Sequence, residues 1–135
     1  MFYDFSVLVP ANTLKSAPVR QELQLTHGVI TSVRLDFRQG TDHLVNLVIK
    51  QGLHQVYPTN PDGSFSLEGV YCSFEDWFEL FEEPFSLTAE GWSDGTTYPH
   101  TVDVQIGLIE SDIALVAIKM AKALASFLKL AGITL

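Results

Sequence analysis

Cysteine occurs once, at Cys72, in a chain of 135 residues. A single thiol excludes an internal disulfide framework and any all-cysteine zinc site. Cations are scarce as well: eight Lys and Arg stand against sixteen Asp and Glu, a net charge of -8. A nucleic-acid surface needs clustered Lys and Arg, because counterion release supplies most of its affinity, so nucleic acid is not an expected partner. Glycine-rich phosphate loops, GxSxG elbows, HExxH and CxxC are all missing. His27, His43, His54 and His100 have no metal-ligand spacing, and Glu75-Asp76 and Glu82-Glu83 are merely neighbours, which confers no acid–base geometry. Asn60, Asp62 and Asp94 offer loop oxygens without the twelve-residue calcium pattern. Cys72 lies among apolar residues with no basic neighbour and reads as a buried, inert thiol. The expectation is a protein that is not an enzyme and uses no cofactor or metal.

What is abundant is apolar. Hydrophobic residues make up 47% and charged residues 18%, enough for a packed core and too apolar for disorder. Between Phe2 and Glu110 the dominant period is two. Val29, Thr31, Val33, Leu35 and Phe37 alternate with Ile30, Ser32, Arg34 and Asp36, a strand with one buried face, and Val102, Val104, Ile106 and Leu108 alternate with Thr101, Asp103, Gln105 and Gly107. Further strands are expected at 2–9, 20–25, 44–50, 53–57, 69–74 and 85–89. Turn residues separate them at Gln39-Gly40-Thr41-Asp42, Asn60-Pro61-Asp62-Gly63 and Ser93-Asp94-Gly95-Thr96. Seven or eight short strands without intervening helices predict a mainly β, antiparallel sandwich, jelly-roll or immunoglobulin-like, over residues 1–110. One segment departs from that period. Phe74, Trp77, Phe78 and Phe81 follow helical spacing, Ser73 and Asp76 resemble a capping box, and Pro84 would stop a short helix.

Residues 111–135 form a second unit, rich in Ala, Leu, Ile and Lys, with Gly132 as its breaker. A helix is expected, capped by Ser111 or Asp112, with Lys129 near its negative end. Lys119, Lys122, Ser126 and Lys129 make one narrow polar stripe, while Ile113, Val116, Met120, Leu124, Phe127 and Leu128 belong to an apolar surface wider than one contact needs. A membrane span is disfavoured, because Lys119 and Lys122 near its middle each cost about 2.5–3.5 kcal/mol. An interfacial helix would show a narrower apolar arc. The pattern favours burial between copies of the chain, with a helix across its own sheet as the bland alternative. Charge divides the same way: fifteen acids against five bases up to Glu110, then one acid against three lysines. The N-terminus, with Asp4 where a basic residue belongs and Pro10 cutting the apolar run short, is not expected to be a secretory signal.

The rival to assembly is sugar binding, in which exposed rings stack on a sugar while loop carboxylates and amides orient it. Tyr57, Asn60, Trp92, Asp94 and Tyr98 sit at or beside expected loops and are the candidates. The stretch Gly52-Leu53-His54-Gln55-Val56-Tyr57-Pro58-Thr59-Asn60-Pro61-Asp62, with Gly91-Trp92 and Thr97-Tyr98-Pro99-His100-Thr101-Val102, resembles small β-sandwich proteins of viral and provirus-associated gene sets. The likeness covers roughly residues 15–108 and excludes the terminal helix. It implies a virion component such as a capsid decoration, turret or spike subunit with a jelly-roll-like head, found in the virion or in the cytoplasm before assembly. Its implied partners are sister chains and other capsid proteins, and it implies no catalytic residues.

Overall fold

The computed structural model describes residues 1–133. Residues 134 and 135, the end of the expected helical segment, lie outside the described residues. Eight strands precede one helix: β1 (Phe2–Val9), β2 (Val19–Gln24), β3 (Gly28–Phe37), β4 (Asn46–Gln51), β5 (His54–Tyr57), β6 (Tyr71–Leu80), β7 (Ser86–Trp92), β8 (His100–Glu110) and α1 (Ser111–Leu130). They form two four-stranded sheets, ordered β1-β8-β3-β6 and β2-β7-β4-β5, with every pairing antiparallel.

That order has a simple origin. β4 pairs with β5, β3 with β6, β2 with β7 and β1 with β8. The chain is therefore one long hairpin whose successive strand pairs alternate between two sheets, which is the jelly-roll arrangement. The hairpin reverses at Gly52-Leu53 between the paired Gln51 and His54, and Gly52 at φ 59° supplies the positive φ that a two-residue turn requires. Strand order thus decides between the jelly-roll and immunoglobulin-like alternatives. Alternation does the rest: Val7 and Val9, Leu35 and Phe37, Val104 and Ile106 point inward from one sheet to meet Leu23, Leu47, Ile49 and Leu87 from the other.

The segment expected to be helical is strand. β6 runs through Phe74, Trp77 and Phe78 and pairs with β3 along its length. Ser73 caps nothing, and Pro84 follows a strand instead of stopping a helix. The misleading spacing has a cause. Register shifts between Ile30 and Ser32, where Ser32 faces Glu75 but Ile30 faces Phe78, so β6 carries an extra residue. The inward residues Cys72, Phe74, Phe78 and Leu80 nonetheless keep a period of two, and the helical look comes from counting Trp77 on the other face and Phe81 beyond the strand. Phe74 and Phe78 pack on the core, Trp77 is left exposed, and Phe81 beyond the strand stacks on His27 at 5.2 Å.

Against β8 the same stretch of β3 holds an extra residue, Ile30 facing Leu108 and Ser32 facing Gly107, so Ile30 joins the core and Val29 is turned away from it though fully buried. The helix α1 touches β3 and β8, and Ala114 is its one buried residue. The expected cap by Ser111 or Asp112 is not formed. β8 runs straight into α1, so the cap position falls one residue earlier on Glu110, whose side chain makes no capping bond. Asp112 in the first turn and Lys129 in the last still complement the helix dipole. Gly132, at φ 81°, closes the helix: its N–H donates to Lys129 O and that of Ile133 to Leu128 O, a Schellman motif.

Candidate functional site

Three features outside the core carry chemistry. The first is the helix itself. On a helical wheel Ala114, Ile118 and Ala121 share one side, which begins on the sheet and runs beside the exposed Trp77. Ile113, Val116, Met120, Ala123, Phe127 and Leu130 follow steps of three and four on a different side, and the large ones are each more than half exposed. Leu124 is also exposed, Leu128 half-buried. Among the described residues no helix is long and apolar enough to cross a membrane.

The second is a groove of about 290 Å³ between the free edges of the two sheets, lined by Tyr57, Phe65, Phe74, Glu75 and Asp76. Tyr57, expected as an exposed sugar platform, is buried; its ring packs edge-on to Phe74 at 5.1 Å and its hydroxyl donates to Asp76 Oδ2 at 2.8 Å. Burial first, then that bond and the Asp76 charge, push the Tyr57 hydroxyl far above its ordinary range.

The third is a cleft of about 150 Å³ on the outer face of the β2-β7-β4-β5 sheet. Glu90, Trp92, Val48 and Lys50 form its floor, since alternate residues of a strand share a face. Lys15 from the β1–β2 connection and Asp62 from the β5–β6 connection form walls. Glu90, its side chain only 7% exposed, holds Lys50 Nζ at 2.9 Å and Arg20 Nε at 3.2 Å. Lys15 Nζ stands 5.3 Å from the Trp92 ring centre.

The five residues singled out for sugar binding are not brought together. Trp92 lies in the third feature, Tyr57 in the second, and Asn60, Asp94 and Tyr98 line neither. Asn60 makes a turn, its carbonyl accepting from Gly63 N–H at 3.0 Å, and Asp94 and Tyr98 are exposed on the β7–β8 connection. Lys15, Lys50 and Glu90 escaped the sequence reading. Glu90 could have been placed beside Trp92 by its two-residue spacing, but Lys50 reaches it only through strand pairing. Cys72 is half-buried, and burial raises its thiol pKa, leaving less of the reactive thiolate. Among the described residues no three His, Cys, Asp or Glu side chains gather in a metal-like group.

No protein-family model matches the chain, and no curated protein matches it. Among solved structures it is similar to FlhE, at a TM-score of 0.41 and 13% identity, over 78% of this chain and 94% of that one. It is also similar to a family two carbohydrate esterase from Cellvibrio japonicus, at a TM-score of 0.30 and 15% identity, over 82% of this chain and 36% of that one. Both likenesses are distant, and the fold stands on the strand order of the chain itself.

Proposed function

We propose that this chain is a non-enzymatic structural subunit, a jelly-roll head that self-associates through its C-terminal helix as a component of a virion. One observation carries the assembly half. α1 has two apolar sides, and only the one containing Ala114 meets its own domain. The other presents Ile113, Val116, Met120, Phe127 and Leu130 to solvent. A contiguous exposed apolar strip of this kind is the signature of an interaction surface. Its steps of three and four match the seam of packed helices, which a second helix with the same spacing fills knob into hole. A second copy of α1 has that spacing. Lys119, Lys122 and Lys129 fall off this seam and stay in water.

The virion half is supported by the resemblance of residues 15–108 and by the jelly-roll order, an architecture that also serves capsid and lectin domains. The second support is analogy of fold alone.

The experiment compares the intact chain with one ending at Glu110 by mass photometry. The intact chain is expected at a multiple of the single-chain mass and the truncated head at the single-chain mass. A monomeric intact chain, or an oligomer that survives the truncation, overturns helix-driven assembly. The virion half is tested by density-gradient banding of nuclease-resistant particles from infected or induced cultures, where the chain should co-migrate with the particles; its absence from them overturns that half.

A further inference from the structure

We propose that the Trp92 cleft binds a monoanionic sugar, a single pyranose unit carrying one carboxylate, as its ligand. The inference goes beyond assembly: the cleft lies on the β2-β7-β4-β5 sheet, whereas α1 packs on β3 and β8 of the other.

Charge is the first ground. Residues 1–110 contain five cations and fifteen acids, yet two of those five, Lys15 and Lys50, line this cleft. Glu90 holds Lys50 within the cleft and the more exposed Arg20 from outside its lining. Lys50 is held by Glu90, whereas Lys15 is in no ion pair among the described residues and is the cation left to meet one ligand carboxylate. A polyphosphate or nucleic acid would bring several negative charges against Glu90 and Asp62.

The donor and acceptor set is the second. The ammonium groups of Lys15 and Lys50 donate to a carboxylate in charge-assisted bonds. Glu90 and Asp62 accept from hydroxyls, each carboxylate offering about four lone-pair sites. Trp92 supplies an electron-rich face for polarised C–H groups, a face that already attracts the Lys15 ammonium. A ring bearing hydroxyls on one side and a carboxylate on the other uses all three kinds of group.

The third is preorganisation. Gln55 Nε2 lies 2.8, 2.9 and 3.1 Å from the carbonyl oxygens of Pro58, Asn60 and Gly63 and shares its two N–H groups among them, pinning the β5–β6 connection that forms one wall. The buried Glu90 carboxylate fixes Lys50 on the floor. Walls set before binding lower the ordering cost that a small ligand must overcome. A cleft of about 150 Å³ takes one ring and not a folded polymer.

The probes are glucuronate, glucose and acetate, titrated into the full chain carrying Trp77→Phe, which leaves Trp92 as its sole tryptophan fluorophore. Glucuronate is expected to change Trp92 emission saturably with a Kd of about 1 mM. Glucose, lacking the carboxylate, and acetate, lacking the ring, should each bind at least about ten-fold more weakly. Lys15→Gln, a change at an exposed residue, should bring glucuronate to the level of glucose. No saturable change with glucuronate up to about 100 mM, equal affinities for glucuronate and glucose, or a Lys15→Gln chain that binds unchanged each overturns the proposal. The same titration on the Phe127→Asp chain should give the same affinities, so failure here is separate from failure of helix assembly.

Discussion

The hydroxyl of Tyr57 on β5 donates to the carboxylate of Asp76 on β6, at 2.8 Å, and so ties the free edge of one sheet to the free edge of the other. At their opposite edges β1 and β2 are joined by chain; here a side-chain bond closes the gap beside the aromatic rings of Phe74 and Phe78.

Removing that bond while keeping the ring should be measurable. Tyr57→Phe is expected to lower stability by about 1 kcal/mol, read as a lower urea midpoint with an unchanged slope. The pH dependence follows from the raised Tyr57 value. Below the ordinary tyrosine value of 10.0 its contribution is whole. Above it the unfolded chain loses this proton and the folded chain does not, so stability falls with rising pH. Between about pH 10 and 12 the Tyr57→Phe chain should therefore lose less stability than the parent.

A second titration lies at the acidic end. Glu68 accepts from the backbone N–H of Gly40 at 2.8 Å and of Asp42 at 2.5 Å, and the Thr41 hydroxyl stands 2.8 Å from it. These bonds, Gly40 first, lower its pKa from 4.5 to about 2. A depressed value contributes stability above pH 4.5 that is lost as pH falls toward 2. Glu68→Gln should flatten that part of the acid limb in urea midpoints measured through this window, while leaving the alkaline limb alone. An acid limb as steep as the parent's would show that the carboxylate does not staple the 40–42 turn.

Glu90 should matter far more than its more exposed cation. Glu90→Ala leaves Lys50, only 28% exposed, without its countercharge, and should cost about 3 kcal/mol. Arg20 is 64% exposed on its side of the same carboxylate, so Arg20→Ala should cost less than about 1 kcal/mol. Thermal or urea unfolding of the two variants gives the comparison directly.

For the helix, apolar residues and lysines should separate cleanly. Phe127→Asp places an unpaired charge in the proposed seam and should return the chain to single-chain mass, whereas Lys122→Gln should leave the oligomer intact. Raising salt from about 0.1 to 1 M should not dissociate it, because screening weakens exposed charge pairs and not apolar contacts. Sedimentation velocity reads all three. Dissociation by salt alone would point to a charge-driven contact.

Much of the architecture was legible in residues 1–135. The alternation of Val33, Leu35 and Phe37, or of Val102, Val104 and Ile106, follows from a backbone that turns successive side chains to opposite faces, and those residues are buried as that pattern requires. The helix from Ser111 and its stop at Gly132 were equally local, set by Ala and Leu content and by the glycine that accepts positive φ. The 74–81 segment looks helical only because Trp77, exposed on the other face of β6, and Phe81, beyond the strand, add spacings of three and four to the inward Phe74 and Phe78, and which rings face in is settled only by the opposing sheet. The cleft was half visible: Trp92 stood out as a ring beside a loop, while Lys15 and Lys50, 35 positions apart, had nothing local to connect them to Glu90.

Local sequence therefore determined which residues face inward and where strand gives way to helix, because those depend on backbone geometry over a few residues. Tertiary structure alone decided the strand order, the Tyr57–Asp76 tie between sheets and the convergence of Arg20 and Lys50 on one carboxylate. Pairings such as that of β1 with β8 join residues about a hundred positions apart. They are selected by how well whole sheets bury each other's faces, a quantity that no short window of sequence contains.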